Sequence, residues 1–225
     1  MRYGSESLYG FPATVSEPEE MEKLWSYAVE HLGAVDIWIN NAGLGHDTIP
    51  PWEIPAAAVK NVIDVNVLGL IFGSQVAMKG MMEQGFGQIY NMQGFGSNGR
   101  MREGMSVYGT SKAAVHYFTE ALAKEAEETG IIVGSLSPGM VMTDMVLERF
   151  KDDPEGLEKA KSIFNIIADT ADNVGPWMVE QILSNDKNGT HIDYLTRSRM
   201  VGRFLKSPFS KRDLFADDDD ENQDI

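Results

Sequence analysis

Cysteine is absent from the 225 residues, which removes disulfides, thiolate metal sites and a cysteine nucleophile from consideration. Positive charge is scarce as well. With 19 Lys and Arg against 34 Asp and Glu, the formal charge is -15, which argues against nucleic acid or an anionic membrane as partner, since both reward clustered cations. No stretch is read as reaching the roughly 18 to 20 apolar residues of a membrane span, and no basic segment followed by an apolar run opens the chain. A soluble cytoplasmic protein without a membrane span is therefore expected. His31, His46, His116 and His191 are widely spaced and form no His-x-x-x-His or His-Glu-x-x-His pair, so no metal site is expected.

What is present suits one globular domain, because 43% hydrophobic content in a chain of this length fills a single core. That domain is placed at residues 1–212, followed by an acidic tail over 213–225, where Asp217 to Asp220, Glu221 and Asp224 read as a disordered, solubilising end.

Alternation of helices and strands dominates the interior of the sequence. Ser16 and Glu19 suggest a capping box for a helix over 17–32, closed by Gly33. The apolar run Val35 to Ile39 suits a strand buried on both faces of a parallel sheet, and it ends at Asn40-Asn41-Ala42-Gly43. A long helix over 56–82 carries Asn66, and a strand is expected over 87–91. Ser106 caps a helix over 107–129 ahead of a strand over 131–136, broken by Pro138-Gly139. Helical patches near 144–150, 155–168 and 172–183 precede a last strand near 190–195, then a polar, basic run from Arg197 to Arg212. The pattern predicts an α/β, doubly wound parallel sheet with helices on both faces and ligands at the carboxyl ends of the strands.

Tyr108 and Lys112 lie four residues apart in the predicted helix, on one face of it. A phenol with a pKa near 10 exchanges protons poorly at neutral pH, and a neighbouring ammonium favours its ionised form. Tyr108 thus becomes a candidate general acid and base. By itself the Tyr-x-x-x-Lys spacing also fits a packed tyrosine beside a solvated lysine.

In company, these residues resemble the short-chain dehydrogenase/reductase family over about residues 10–195. Asn40-Asn41-Ala42-Gly43 is similar to the family's turn bordering the cofactor. Asn66 matches the helix asparagine holding a water of the proton relay, Tyr108 and Lys112 the acid/base pair, and Pro138, Gly139 and Thr143 the loop on the nicotinamide. The resemblance implies a Rossmann-like fold, an NADP or NAD cofactor, a small carbonyl or alcohol substrate, and a homo-oligomer. Lys112 would also hold the nicotinamide ribose.

Two departures stand out. The family's Asn-x-x-Ser becomes Asn91-Met92-Gln93-Gly94, so the hydroxyl that polarises the carbonyl is missing. Ser97, in a glycine-flexed loop, and Gln93 are the candidate replacements, and Ser97 is equally readable as a turn serine. No glycine-rich strand-turn-helix fingerprint occurs before residue 40, and Thr14-Val15-Ser16 aligns just before the family's third strand. A fragment or misplaced start is the expected reason, with a shortened protein pairing its bared edge with another chain as the alternative.

Within the family, Asp36 to Asn40, Asn91 to Arg100 and Leu136 to Met140 resemble chlorophyll b reductases and their bacterial look-alikes, which implies reduction of an aldehyde on a hydrophobic substrate. Met140, Met142, Met145, Val146 and Phe150 are candidates for an apolar lid, or for ordinary packing. A reductase-like scaffold that no longer binds dinucleotide is the rival from another class.

Overall fold

Proline at position 18 and glycine at position 33 set the limits of the first helix in the computed structural model, which describes residues 8–147, 150, 153–207 and 212–215. Helix α1 (Pro18–Leu32) has Glu17, not Ser16, at its N-cap, with no side-chain cap bond. Pro18 takes the first helical position, where its fixed φ fits and its missing N–H leaves nothing unpaired. Gly33, at φ 81°, ends the helix in a backbone region that favours glycine.

Strand β1 (Ile37–Asn40) pairs in parallel with β2 (Gln88–Met92), in the register Ile37 to Gln88 through Asn40 to Asn91. β3 (Ile132–Ser137) lies on the other side of β2. Between β1 and β2 the chain is helical throughout Ala56–Gln84: α2 (Ala56–Ile63), a π-helical segment at Asp64–Gly69, then α3 (Leu70–Gln84). This corrects the expectation that no stretch is long and apolar enough to span a membrane. The run is 29 residues long with a mean hydropathy of 1.5 in its most apolar window. It packs against α1, β1, β2 and α4 (Ser106–Glu125), with 28% of that apolar window buried.

The core gathers Val35, Ala77, Met81, Ile89, Ala123, Ala126, Ile131 and Val133, with Trp25 and Trp38 laid against it. Helices α1, α3 and α4 thus cover one apolar layer of a Rossmann-like parallel sheet. α1 and α3 approach closely because Gly80 has no side chain; a β-carbon there would stand 2.0 Å from Trp25 Cζ2. A chain of buried amides ties the layers. Trp38 Nε1 donates to Asn40 Oδ1 (2.9 Å), and Asn40 Nδ2 donates to Asn91 Oδ1 (2.8 Å) and Ser74 Oγ (2.9 Å). Asn91 Nδ2 then donates to Thr119 Oγ1 on α4 (3.0 Å).

Contacts divide the chain into two units. The elements above as far as Ser135 within β3, with Asp186–Thr190, form the first; Leu136–Asn185, which begins with the end of β3, and the residues from His191 onward form the second. The second unit contains β4 (Met140–Met142), α5 (Asp144–Leu147), α6 (Pro154–Ile167), β5 (Ala168–Thr170), α7 (Ala171–Ser184), β6 (His191–Asp193) and α8 (Arg197–Lys206). β4 and β5 pair in parallel, and the sequence reading found neither. The basic run after Arg197 is helix α8, whose Thr196 side chain accepts from the N–H of Arg199.

Met140, Met142, Val146 and Phe150 pack around Phe164, Ala168 and Phe215. They are partly buried and pack on the core of this unit, the ordinary packing given as one of their two readings; the side chain of Met145 lies outside the described residues. Phe215 is 3% exposed, so the fold continues past the expected tail boundary at 213, because an apolar Leu214-Phe215 pair gains by burial. The acidic run Asp217 to Asp220 lies outside the described residues.

Candidate active site

Met105, not Ser106, occupies the N-cap of α4 and makes no side-chain cap bond. The N–H of Tyr108 is one of the unpaired donors at this helix start, and it finds a distant acceptor, Nε2 of His46, at 3.2 Å. The other ring nitrogen of His46 lies 2.7 Å from the carbonyl of Asp47. With Nδ1 donating to that carbonyl, Nε2 is the acceptor for the N–H of Tyr108, the tautomer that serves both contacts. Nothing in the sequence pointed to His46, which lies 62 residues from its partner.

One turn on, Lys112 is 4% exposed. Its Nζ donates to the carbonyl of Met92 at the end of β2 (3.1 Å) and lies 5.9 Å from the centre of the Tyr108 ring. Among the described residues no carboxylate pairs with it. Burial without a counter-charge lowers its pKa to about 8. An ammonium has three N–H donors, and Met92 takes one.

The π-helical segment carries Asn66, which is 1% exposed. Its Oδ1 accepts from the N–H of Leu44 (2.7 Å), while Nδ2 donates to the carbonyl of Leu44 (2.9 Å) and to Ser111 Oγ (2.9 Å). The amide thus holds the chain at Leu44 against α4. Gly43 passes directly over the pair: a β-carbon there would lie 3.5 Å from Asn66 Oδ1 and 3.6 Å from Lys112 Nζ. Asn41 and Ala42 are exposed, and with Val15, Val65 and Gly69 they line a cleft of about 130 Å³. Asn40 also borders that cleft, but its amide is committed to the buried chain of Asn91 and Ser74.

The loop after β2 turns at Gly94. Ser97 donates from both its N–H (3.1 Å) and its hydroxyl (2.7 Å) to the carbonyl of Gly94, which is the turn-serine arrangement. Gln93 is 3% exposed and neither of its amide atoms has a partner. A β-carbon at Gly94 would meet Tyr108 Oη at 2.5 Å and Lys112 Cε at 3.0 Å. The position of the family's serine is thus filled by the tyrosine itself.

The structure brings Asn66, Gly43, Gly94, Tyr108 and Lys112 together in the first unit, with Asn41, Ala42 and Ser97 at its edges. Pro138, Gly139 and Thr143 belong to the second unit. Gly139 has a φ of 73° and packs against Leu195, and the exposed Thr143 starts α5 by accepting from the N–H groups of Val146 and Leu147.

Comparison with known proteins places this geometry. The family model for short chain dehydrogenases matches residues 2–154. A probable chloroplastic chlorophyll(ide) b reductase of Arabidopsis thaliana is 32% identical over 212 residues, covering 94% of this chain and 41% of that protein. A chlorophyll(ide) b reductase of Oryza sativa subsp. japonica is 31% identical over 220 residues, covering 93% and 63%. The chain thus spans less than two thirds of the length of these relatives. Among solved structures, levodione reductase superposes with a TM-score of 0.73 at 25% identity, over 83% of this chain and 75% of that one. Serine dehydrogenase complexed with NADP+ gives 0.71 at 25% identity, over the same shares.

Proposed function

The chain belongs to the short chain dehydrogenase family, and from that premise we propose that it is an NAD(P)H-dependent oxidoreductase interconverting a carbonyl and an alcohol. The observation that carries this reading is the pair Tyr108 and Lys112, stacked one turn apart, with Lys112 buried and bonded only to Met92.

The residues present fit a nicotinamide dinucleotide. A buried ammonium with N–H donors left over suits ribose hydroxyls, and a β-carbon-free approach at Gly43 lets a ligand come close to it. Lys112 would hold the ribose, while Asn41, Ala42, Val15 and Val65 would wall the cofactor along the cleft. When bound, the cofactor supplies or accepts the hydride. Tyr108 gives its hydroxyl proton to the carbonyl oxygen in reduction and takes it back in oxidation, which is general acid-base catalysis. Lys112 stabilises the phenolate left behind, and His46 and Asn66 hold the two segments that frame the pair.

For the substrate, the relatives named as chlorophyll(ide) b reductases support an aldehyde on a large hydrophobic molecule, and a formyl tetrapyrrole is the finer reading. Exposed Leu68 and Tyr117 on the helices of the first unit support assembly of two copies. The test of the function is NAD(P)H consumption by the purified chain with chlorophyllide b and with simple aldehydes. Turnover of neither, despite dinucleotide binding, would overturn the reductase assignment.

A second reading, a scaffold that no longer reduces a carbonyl, is favoured by one feature: Gly94 lacks the hydroxyl expected beside Tyr108, and that of Ser97 is bonded to its own loop. Calorimetry with NADPH and NADH tests the enzyme reading, since no binding of either sinks it.

A further inference from the structure

Asp169 on β5 is 4% exposed and sits at the centre of the most heavily bonded polar cluster of the second unit. Its Oδ1 accepts from the N–H of Thr170 (3.1 Å), from Asn173 Nδ2 (2.9 Å) and from Arg212 (2.7 Å). Its Oδ2 accepts from the hydroxyl of Tyr194 (2.7 Å) and from Arg203. Burial alone would raise the carboxyl, but the bonds from Tyr194, Asn173, Arg203 and Thr170 outweigh it and bring the pKa to about 2. The carboxylate stays ionised, and its acceptor sites are filled.

Beside it opens a cavity of about 670 Å³, within the range of about 300 to 1,000 Å³ typical of small-molecule sites. Three cations line it, Arg203, Lys206 and Arg212, against the single carboxylate of Asp169. This local excess of positive charge stands out in a chain of net charge -15. Donors line the walls as well. Among the described residues, Lys206 and the hydroxyls of Ser162 and Ser207 have no hydrogen-bond partner, and Asn165 offers a free Nδ2 while its Oδ1 accepts from Leu214. With the acceptors of Asp169 filled, what the cavity offers a ligand is positive charge and N–H or O–H groups.

We propose that this cavity binds the phosphate monoester of a small phosphorylated molecule, held by Lys206 and the arginine-lined wall. The two charges in excess over Asp169 match the charge of about -1.5 to -2 that a phosphate monoester carries near neutral pH. Guanidinium groups and a lysine point charge are the side chains that pair best with phosphoryl oxygens. The cavity is larger than a phosphate, which leaves space for the alcohol part against Ile166 and Tyr194. Asp169 holds the arginines in place and does not touch the ligand.

The test uses the full chain and calorimetric titration with glycerol phosphate, inorganic phosphate and succinate. Glycerol phosphate is expected to bind saturably and more tightly than succinate, and to weaken with added salt. Lys206→Glu should weaken it about tenfold or more. Among the described residues Lys206 is exposed and partnerless, so its substitution leaves the fold intact, and the reversed charge in the last turn of α8 lowers the melting temperature only slightly. Three results would overturn the proposal: no saturable binding of either phosphate, succinate binding as tightly as glycerol phosphate, or an affinity indifferent to Lys206→Glu. The last would place the bound anion elsewhere.

Discussion

The hydroxyl of Tyr108 stands 2.5 Å from the point that a β-carbon on Gly94 would occupy. Restoring a serine at this position is therefore no simple gain of a hydroxyl. The new β-carbon also meets Lys112 Cε at 3.0 Å, so both members of the pair must shift. Misplacement of a reacting group by about 1 Å can cost on the order of a hundredfold in rate. Gly94→Ser is expected to lower kcat by about tenfold or more, read in steady-state assays alongside a crystal structure of the variant. An unchanged or higher kcat would show that Tyr108 works from another position.

Tyr108→Phe removes the proton donor and little else. Turnover is expected to fall by about 10² to 10⁴-fold, the usual worth of general acid-base catalysis, while dinucleotide affinity stays within a factor of about two, a difference of roughly 0.4 kcal/mol. Single-turnover kinetics with a saturating carbonyl substrate measure the first quantity and calorimetry the second. A loss of binding equal to the loss of rate would assign Tyr108 to the cofactor instead.

Lys112 makes stability depend on pH in an alkaline window. Its folded pKa is lowered to about 8 from the usual 10.5 of a lysine, so between these values the unfolded chain holds a proton that the folded chain has released. Stability then rises with pH across the window, by up to roughly 3 kcal/mol for a shift of this size. Denaturant titrations of wild type and Lys112→Met between about pH 7.5 and 10 test this. The wild type is expected to gain on the variant as pH rises, and parallel curves would contradict the burial of a charged lysine.

Gly80 lies under the indole of Trp25, where a β-carbon would come within 2.0 Å of the ring. Gly80→Ala gains helix propensity, worth up to about 1 kcal/mol, yet forces Trp25 off its seat between α1 and α3. Overpacking of this kind costs about 1 to 3 kcal/mol, so a net loss of stability is expected by chemical denaturation. A double variant with Trp25→Leu should recover part of that loss; a stabilised single variant would mean the two helices separate freely.

The sequence was most readable where one physical cause acts alone. β2 and β3 are largely buried as inner parallel strands should be, whereas β1, expected to be buried on both faces, is the edge strand among the described residues and leaves Ile39 exposed; Tyr108 and Lys112 share a helix face by spacing alone. Helix starts were misread where neighbours compete: Pro18 displaced the Ser16 cap, and His46 supplied from a distant loop the acceptor that Ser106 was expected to provide. β4 and β5, three residues each, leave no periodicity to detect, and the polar, basic run from Arg197 shows no helix signal until Arg203 is seen bonded to Asp169 and Arg199 to the carbonyl of Tyr194. The widened turn at Asp64–Gly69 has no local marker, since its purpose is the tertiary hold of Asn66 on Leu44.

The amide chain from Trp38 through Asn40 and Asn91 to Thr119, with its branch from Asn40 to Ser74, joins two strands and two helices, and its central member Asn91 is 0% exposed. To loosen any one element, a buried amide must lose its partner, at about 1 to 3 kcal/mol for each group left unmet. Deuterium uptake at the backbone of β1, β2 and the middle of α4 should therefore proceed by one shared opening, at the rate of global unfolding. The loop between Gly94 and Met105 is free of that constraint and should exchange first, so that whatever enters beside Tyr108 meets a yielding wall on one side and an unyielding floor on the other.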